Sequence, residues 1–211
     1  MSSRHSTDRK LAGLLLLAAF CLAGCAGAPA PRNGSGAPGQ ADAVPPAVQT
    51  DFERAAAAMA AGEFDEAESR FRDFLARHPG YPGAHVNLAI LHSSRGDDEA
   101  AEAHVAAALE LDAGYAPALN QLGMLRRRQG RFAAAESAYM KAVTASPEYA
   151  LAHYNLGVLN ELYLQRLEQA LHSYERYLEL GGDDEQVSRW VVDLKRRLAA
   201  TESTANAREQ G

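Results

Sequence analysis

Residues 116–149 read APALNQLGMLRRRQGRFAAAESAYMKAVTASPEY, and this stretch decides the fold. Leu122-Gly123, Gly130, Phe132, Ala135, Tyr139, Ala142 and Pro147 stand at offsets that recur on either side of it. One period back, 82–115 carries Leu88-Ala89, Gly96, Ala101, Val105 and Ala108. Two periods back, 48–81 carries Ala55, Gly62, Phe64, Ala67, Phe71, Phe74 and Pro79. One period forward, Leu156-Gly157 is followed by Leu167, Ala170, Tyr174, Tyr177 and Leu178, shifted by one residue. The extra residue is placed in the turn Tyr163–Arg166. A recurrence of about 34 residues with small and large apolar residues in fixed slots predicts stacked helix–turn–helix units. Small residues at the eighth and twentieth slots allow the two helices of a unit to close on each other. Glycine after the first helix suits the left-handed turn that ends it.

This pattern resembles the tetratricopeptide repeat over 48–184, in units 48–81, 82–115, 116–149 and 150–184. The resemblance implies an all-α, right-handed superhelical solenoid of about four helix pairs. The departures fall at the aromatic slots of the first helices, which hold Asp51, His85, Leu119 and His153, then Ala58, His92, Arg126 and Asn160. The proline slot holds Ala113 and Gly182 in two units. Beyond the fourth unit, Asp183-Asp184 can cap a further helix, in which Val187, Trp190, Val191, Leu194 and Leu198 recur at helical spacing. A capping helix is expected over 185–199 and a polar, disordered tail over 200–211.

The chain has 211 residues, 47% apolar but only 7% aromatic, and a net charge of −6. Alanine supplies much of the apolar content, as close helix packing requires. No long basic run offers a footprint for nucleic acid. The sequence shows no His-Glu-x-x-His, Gly-x-Ser-x-Gly, P-loop or paired-cysteine zinc motif, so no enzyme, cofactor or metal is expected. Gly34-x-Gly36-x-x-Gly39 matches a dinucleotide fingerprint only in form, since no strand precedes it and Pro38 interrupts it. His85 and His92 share a helix face seven residues apart, but both stand in slots that take packing aromatics.

The N-terminus carries Arg4, Arg9 and Lys10, then an uncharged apolar run from Leu11 to Leu22. That run is too short to cross a bilayer, which takes about 20 residues, and fits a signal peptide. It ends in Leu22-Ala23-Gly24-Cys25, which resembles the lipobox of bacterial lipoproteins. The resemblance implies cleavage after residue 24 and acylation of Cys25. An ordinary signal peptide with Ala23-x-Cys25 at its cleavage site is the alternative. Ala26 after the cysteine implies, by the usual sorting rule, the outer membrane with the chain facing the periplasm. Cys21 leaves with the signal, so the mature chain would hold no disulfide. Residues 25–47 are rich in Ala, Gly and Pro and read as a disordered tether.

The resemblance places partner contacts on the first helices, which line the concave side of a solenoid. Carried to this sequence, those slots hold Asn87 and Ile90, then Asn120, Gln121, Met124, Arg127 and Arg128, then Tyr154, Asn155, Val158 and Glu161. Asn87, Gln121 and Asn155 are amides one repeat apart. They either pair with an extended peptide backbone or belong to the repeat pattern. The run 126–131 either meets an acidic partner segment or complements the helix C-terminus. The expected function is a lipid-anchored scaffold that holds a protein or peptide in its groove. Similar lipoproteins serve pilus assembly, outer-membrane protein insertion and control of peptidoglycan enzymes. Self-association of a structural envelope protein is the alternative.

Overall fold

A computed structural model describes residues 45–181 and 184–209. Among the described residues there are nine helices and no strand. The chain divides into two compact units, with the boundary between Gly80 and Tyr81.

The first unit contains α1 (Pro46–Ala60) and α2 (Phe64–Arg77). Two prolines open α1, where a missing N–H costs nothing. The pair closes over Ala55, Ala58, Met59, Ala67, Phe71 and Phe74, all buried. Phe52 meets Phe71 and Phe74 edge-on, each with ring centres 5.6 Å apart. Asp51 takes no part in this core. Its Oδ2 accepts from Arg77 Nη1 at 2.6 Å, and that bond lowers the carboxyl pKa.

The second unit contains α3 (Pro82–Ser94), α4 (Asp98–Leu111), α5 (Ala116–Arg128), α6 (Phe132–Ala145), α7 (Ala150–Leu162), α8 (Leu167–Glu179) and α9 (Glu185–Glu209). Helices pair as α3–α4, α5–α6 and α7–α8. Each pair meets the next through α4–α5 and α6–α7, and the first helices also touch along α3–α5 and α5–α7. The all-helical fold expected from the repeat pattern is therefore present.

Close approach within a pair follows from one complementary choice of residues. Where the second helix presents Tyr139 or Tyr174, the first presents Gly123 or Gly157. A Cβ on Gly123 would lie no more than 2.8 Å from three ring carbons of Tyr139. Where the second helix presents the smaller Val105, the first affords Ala89, and the two share a cluster. A large side chain on one helix is thus met by none on the other, and a smaller one by a methyl group, so the interior stays close-packed.

The turns obey a second rule. After α5, Gly130 takes φ +73°. Its N–H donates to Arg127 O at 3.0 Å, and Arg131 N–H donates to Arg126 O at 2.9 Å. This is the Schellman arrangement. No atom lies within 4 Å of a Cβ added at Gly130. Gly130→Ala is thus strained by backbone conformation alone, and we expect a loss of about 1 kcal/mol in urea denaturation. The fourth turn is one residue longer, as expected, and Gln165 takes the positive φ of 54°.

The C-terminal helix departs from the expected boundary at Ala199. It runs to Glu209 because neither glycine nor proline interrupts 185–210. Asp184 Oδ1 caps it, accepting from Gln186 N at 2.8 Å. Its inner face places Val187, Val191 and Leu194 against Ala170, Tyr174 and Tyr177. Among the described residues no helix is long and apolar enough to cross a membrane. The expected signal peptide, Cys25 and nearly all of the tether lie outside the described residues.

Candidate functional site

Ile90, Met124 and Val158 occupy the same slot on α3, α5 and α7, and all three are partly exposed. They form an apolar row, one residue per repeat, along successive first helices. Beside this row the amides behave differently from a ligand-facing set. Asn87, Asn120, Gln121 and Asn155 are all buried, Asn120 to 5% exposure. Asn155 Nδ2 donates to Asn120 Oδ1 at 3.0 Å, joining the third and fourth units. Asn120 Nδ2 reaches only the Met124 sulfur, at 3.9 Å. This pair stitches the array together, and unpairing a buried amide costs about 1–3 kcal/mol.

The arginine run divides in the same way. Arg128 Nη1 donates to Ser93 O at 2.9 Å and its other nitrogen pairs with Asp98. Arg126 Nη1 meets Glu102 Oε1 at 2.8 Å. Both thus link the third unit to the second, and Arg128 is held by partners within the chain. The hydrogen bonds from Gln129 and Arg126 lower the Glu102 pKa. Arg127 points elsewhere and makes no ion pair among the described residues. Its Nη1 is buried without a hydrogen-bond partner among the described residues. Its guanidinium carbon sits 5.9 Å from the centre of the Tyr163 ring, within the range of a cation–π contact. Tyr163 and its neighbour Leu162 are 45% and 64% exposed.

At the fourth unit, α9 meets the expected groove residues. Tyr154 lies against Trp190 with ring centres 6.4 Å apart at 28°. Val158 packs against the cluster that α9 closes. Glu161 accepts from Arg197 at 2.9 Å and from the Tyr174 hydroxyl at 3.2 Å. Burial first, then the Glu161 charge, drives the Tyr174 pKa far upward. Burial pushes Tyr139 up to about 12. Neither phenol ionises at neutral pH, so the cluster presents hydroxyl groups and no phenolate.

The site residues thus separate into two groups. Among the described residues, Ile90, Met124 and Arg127 remain on the inner helices without an ion pair or a covering helix. Tyr154, Val158 and Glu161 face α9, Arg128 and the Asn120–Asn155 pair hold neighbouring repeats together, and Asn87 and Gln121 are buried. Sequence reasoning missed Tyr163, whose place over Arg127 follows from the inserted residue in the fourth turn. It also missed His104 on α4, which contacts His85. Helical spacing along α4 was the available signal.

Comparison with known proteins fits this architecture. Models of the tetratricopeptide repeat match residues 58–122 and 120–185, more than half of the chain between them. The chain belongs to the tetratricopeptide repeat family. Such repeats are protein-interaction scaffolds, and that is the architecture found here. A search of the curated proteins finds no match. Among solved structures, the chain resembles pilF of Pseudomonas aeruginosa at 24% identity and a TM-score of 0.63, covering 77% of this chain and 72% of that one. It resembles the protein TTC0263 of Thermus thermophilus at 21% identity and a TM-score of 0.62, covering 71% and 82%. The first repeat domain of Spaghetti (RPAP3), bound to the HSP90 peptide SRMEEVD, gives 23% identity and a TM-score of 0.52, covering 56% and 95%. At these identities the likeness concerns the fold.

Proposed function

We propose that this tetratricopeptide repeat protein is a lipid-anchored scaffold on the periplasmic face of a bacterial outer membrane. It holds a partner polypeptide along its first helices and assists assembly or regulation of a cell-envelope machine. The observation that carries this reading is the pair of partly exposed apolar side chains Ile90 and Met124, one repeat apart, with Arg127 on the same helix as Met124 and its Nη1 unpartnered among the described residues. An apolar stripe with a cation at its edge suits an extended or helical segment bearing apolar anchors and a carboxylate. Leu22-Ala23-Gly24-Cys25 supports the anchor, and more than one acyl chain makes such attachment stable. The peptide-bound RPAP3 neighbour supports a polypeptide as the ligand.

The test joins anchor and groove. Cys25→Ser is expected to move the chain from the membrane fraction of intact cells to the soluble one. A photo-crosslinker at Met124 is expected to capture one defined polypeptide, and Arg127→Glu to reduce that capture at least tenfold. A Cys25→Ser chain that stays with the membrane would overturn the anchor. Equal capture with and without Arg127 would overturn the groove.

A further inference from the structure

The second repeat contains a histidine cluster that the proposed groove does not use. His85 and His92 lie on α3, and His104 lies on α4. The Nδ1 atoms of His85 and His104 are 3.2 Å apart, with ring centres at 5.4 Å. The two nitrogens therefore lie close to the line joining the rings and face each other almost head-on. That geometry needs one proton between them. It does not suit a shared metal, which would draw both nitrogens towards a third point. Among the described residues no group of three or more metal-ligating side chains is assembled. The His104 ring also lies nearly parallel to His92, at 5.4 Å and 21°. His92 Nδ1 in turn stands 3.4 Å from Asp97 Oδ2, and Asp97 Oδ1 caps α4 by accepting from Ala100 N at 3.1 Å. The contacts thus run from α3 to α4, back to α3 and into the turn between them.

We propose that His85 and His104 form an acid-sensitive latch that holds α3 to α4 at neutral pH and releases it in acid. With both imidazoles neutral, one donates its Nδ1–H to the other. After one protonation, the imidazolium donates to its neutral neighbour and the bond survives. After a second, two N–H donors and two positive charges face each other with no acceptor between them. Asp97 faces His92. Asp98 and Glu102 on α4 are held by Arg128 and Arg126 of α5. Burial is what lowers the His85 pKa.

The sign follows from that direction. His85 binds a proton less readily in the fold than in the unfolded chain, where a histidine titrates near 6.5. Stability is complete above about pH 6.5 and falls as the pH drops from there towards the lower folded value. Each excluded proton costs about tenfold per pH unit in the closed-to-open ratio. Because α3 carries Asn87 and Ile90, opening the latch would also disturb the proposed groove. The latch itself does not depend on that reading.

Amide hydrogen exchange on the full chain between about pH 7.5 and pH 5, corrected for intrinsic rates, tests this. Protection of α3 and α4 is expected to fall with pH below about 6.5, by up to about tenfold per pH unit, while α7 and α8 hold theirs. His104→Gln, which keeps a hydrogen-bonding partner without a titrating charge, should flatten the α3–α4 profile. His153→Gln should leave the profile unchanged, since His153 Nε2 is paired with Pro147 O at 2.9 Å, away from the latch. A wild-type α3–α4 profile parallel to that of α7–α8 would sink the proposal. So would an undiminished slope in His104→Gln, or a slope removed by His153→Gln.

Discussion

Replacing Gly157 by valine should cost about 3 kcal/mol and leave the second unit partly unfolded at modest urea concentrations. A Cβ built on Gly157 lies 2.6 Å from both Cδ1 and Cε1 of Tyr174. The ring has little room to retreat. It is 1% exposed, its hydroxyl is tied to Glu161, and it meets Trp190 with ring centres 5.5 Å apart. Gly123→Val should behave alike against Tyr139. Gly130→Ala is the control, because it carries backbone strain without a steric clash. The second repeat suggests a sharper test, since it pairs Ala89 with Val105. Gly123→Ala combined with Tyr139→Val should be much less destabilised than the sum of the two single changes. A double-mutant cycle in urea should give a coupling of about 1–3 kcal/mol, the range for residues in contact. Strict additivity would show that the glycine is not matched to the tyrosine.

The fold was legible because repeat packing is written in residue sizes at a fixed period. Gly123, Ala135, Tyr139 and Ala142 each recur with a size that suits its opposite number. The inserted residue in the fourth turn was legible for the same reason, since a one-residue slip displaces every later apolar slot. The candidate site was legible only in part. A slot number says which way a side chain leaves its helix, but not which polar neighbour it finds. Asn120 and Asn155 stand in slots that can face a ligand, yet they find each other across the repeat boundary. Arg128 likewise finds Asp98 and Ser93 O. Those partners lie about a repeat away in sequence, with no periodic signal linking them. Asp51 shows the converse. It broke the aromatic pattern of the first helix, while the neighbouring Phe52 supplies the ring that packs on Phe71 and Phe74. The C-terminal helix outran its expected end because polar residues without glycine or proline can extend a helix that is already nucleated.

That helix carries the second large effect. Trp190→Ala should cost about 3 kcal/mol, at the low end for truncating an aromatic, because Trp190 is only partly buried. Its ring closes a group of four aromatics with Tyr154, Tyr174 and Tyr177. Without it, α9 keeps Val187, Val191 and Leu194 on Ala170 and the tyrosines, but leaves Tyr154 uncovered. Arg197→Ala removes a contact from the same helix to the same inner face, yet should cost less than about 1 kcal/mol, because the side chain is 42% exposed and its ion pair is screened by solvent. Far-UV circular dichroism in urea measures both variants, since fluorescence is lost with the only tryptophan. In a stacked array a terminal unit has one neighbour, so loss of its cover is felt first at α7 and α8 and less at α3 and α4. Hydrogen exchange in Trp190→Ala should therefore rise along that gradient. Uniform loss across the second unit would mean that its helices unfold as one body, and that α9 acts as part of a single core rather than as the cap of a repeating stack.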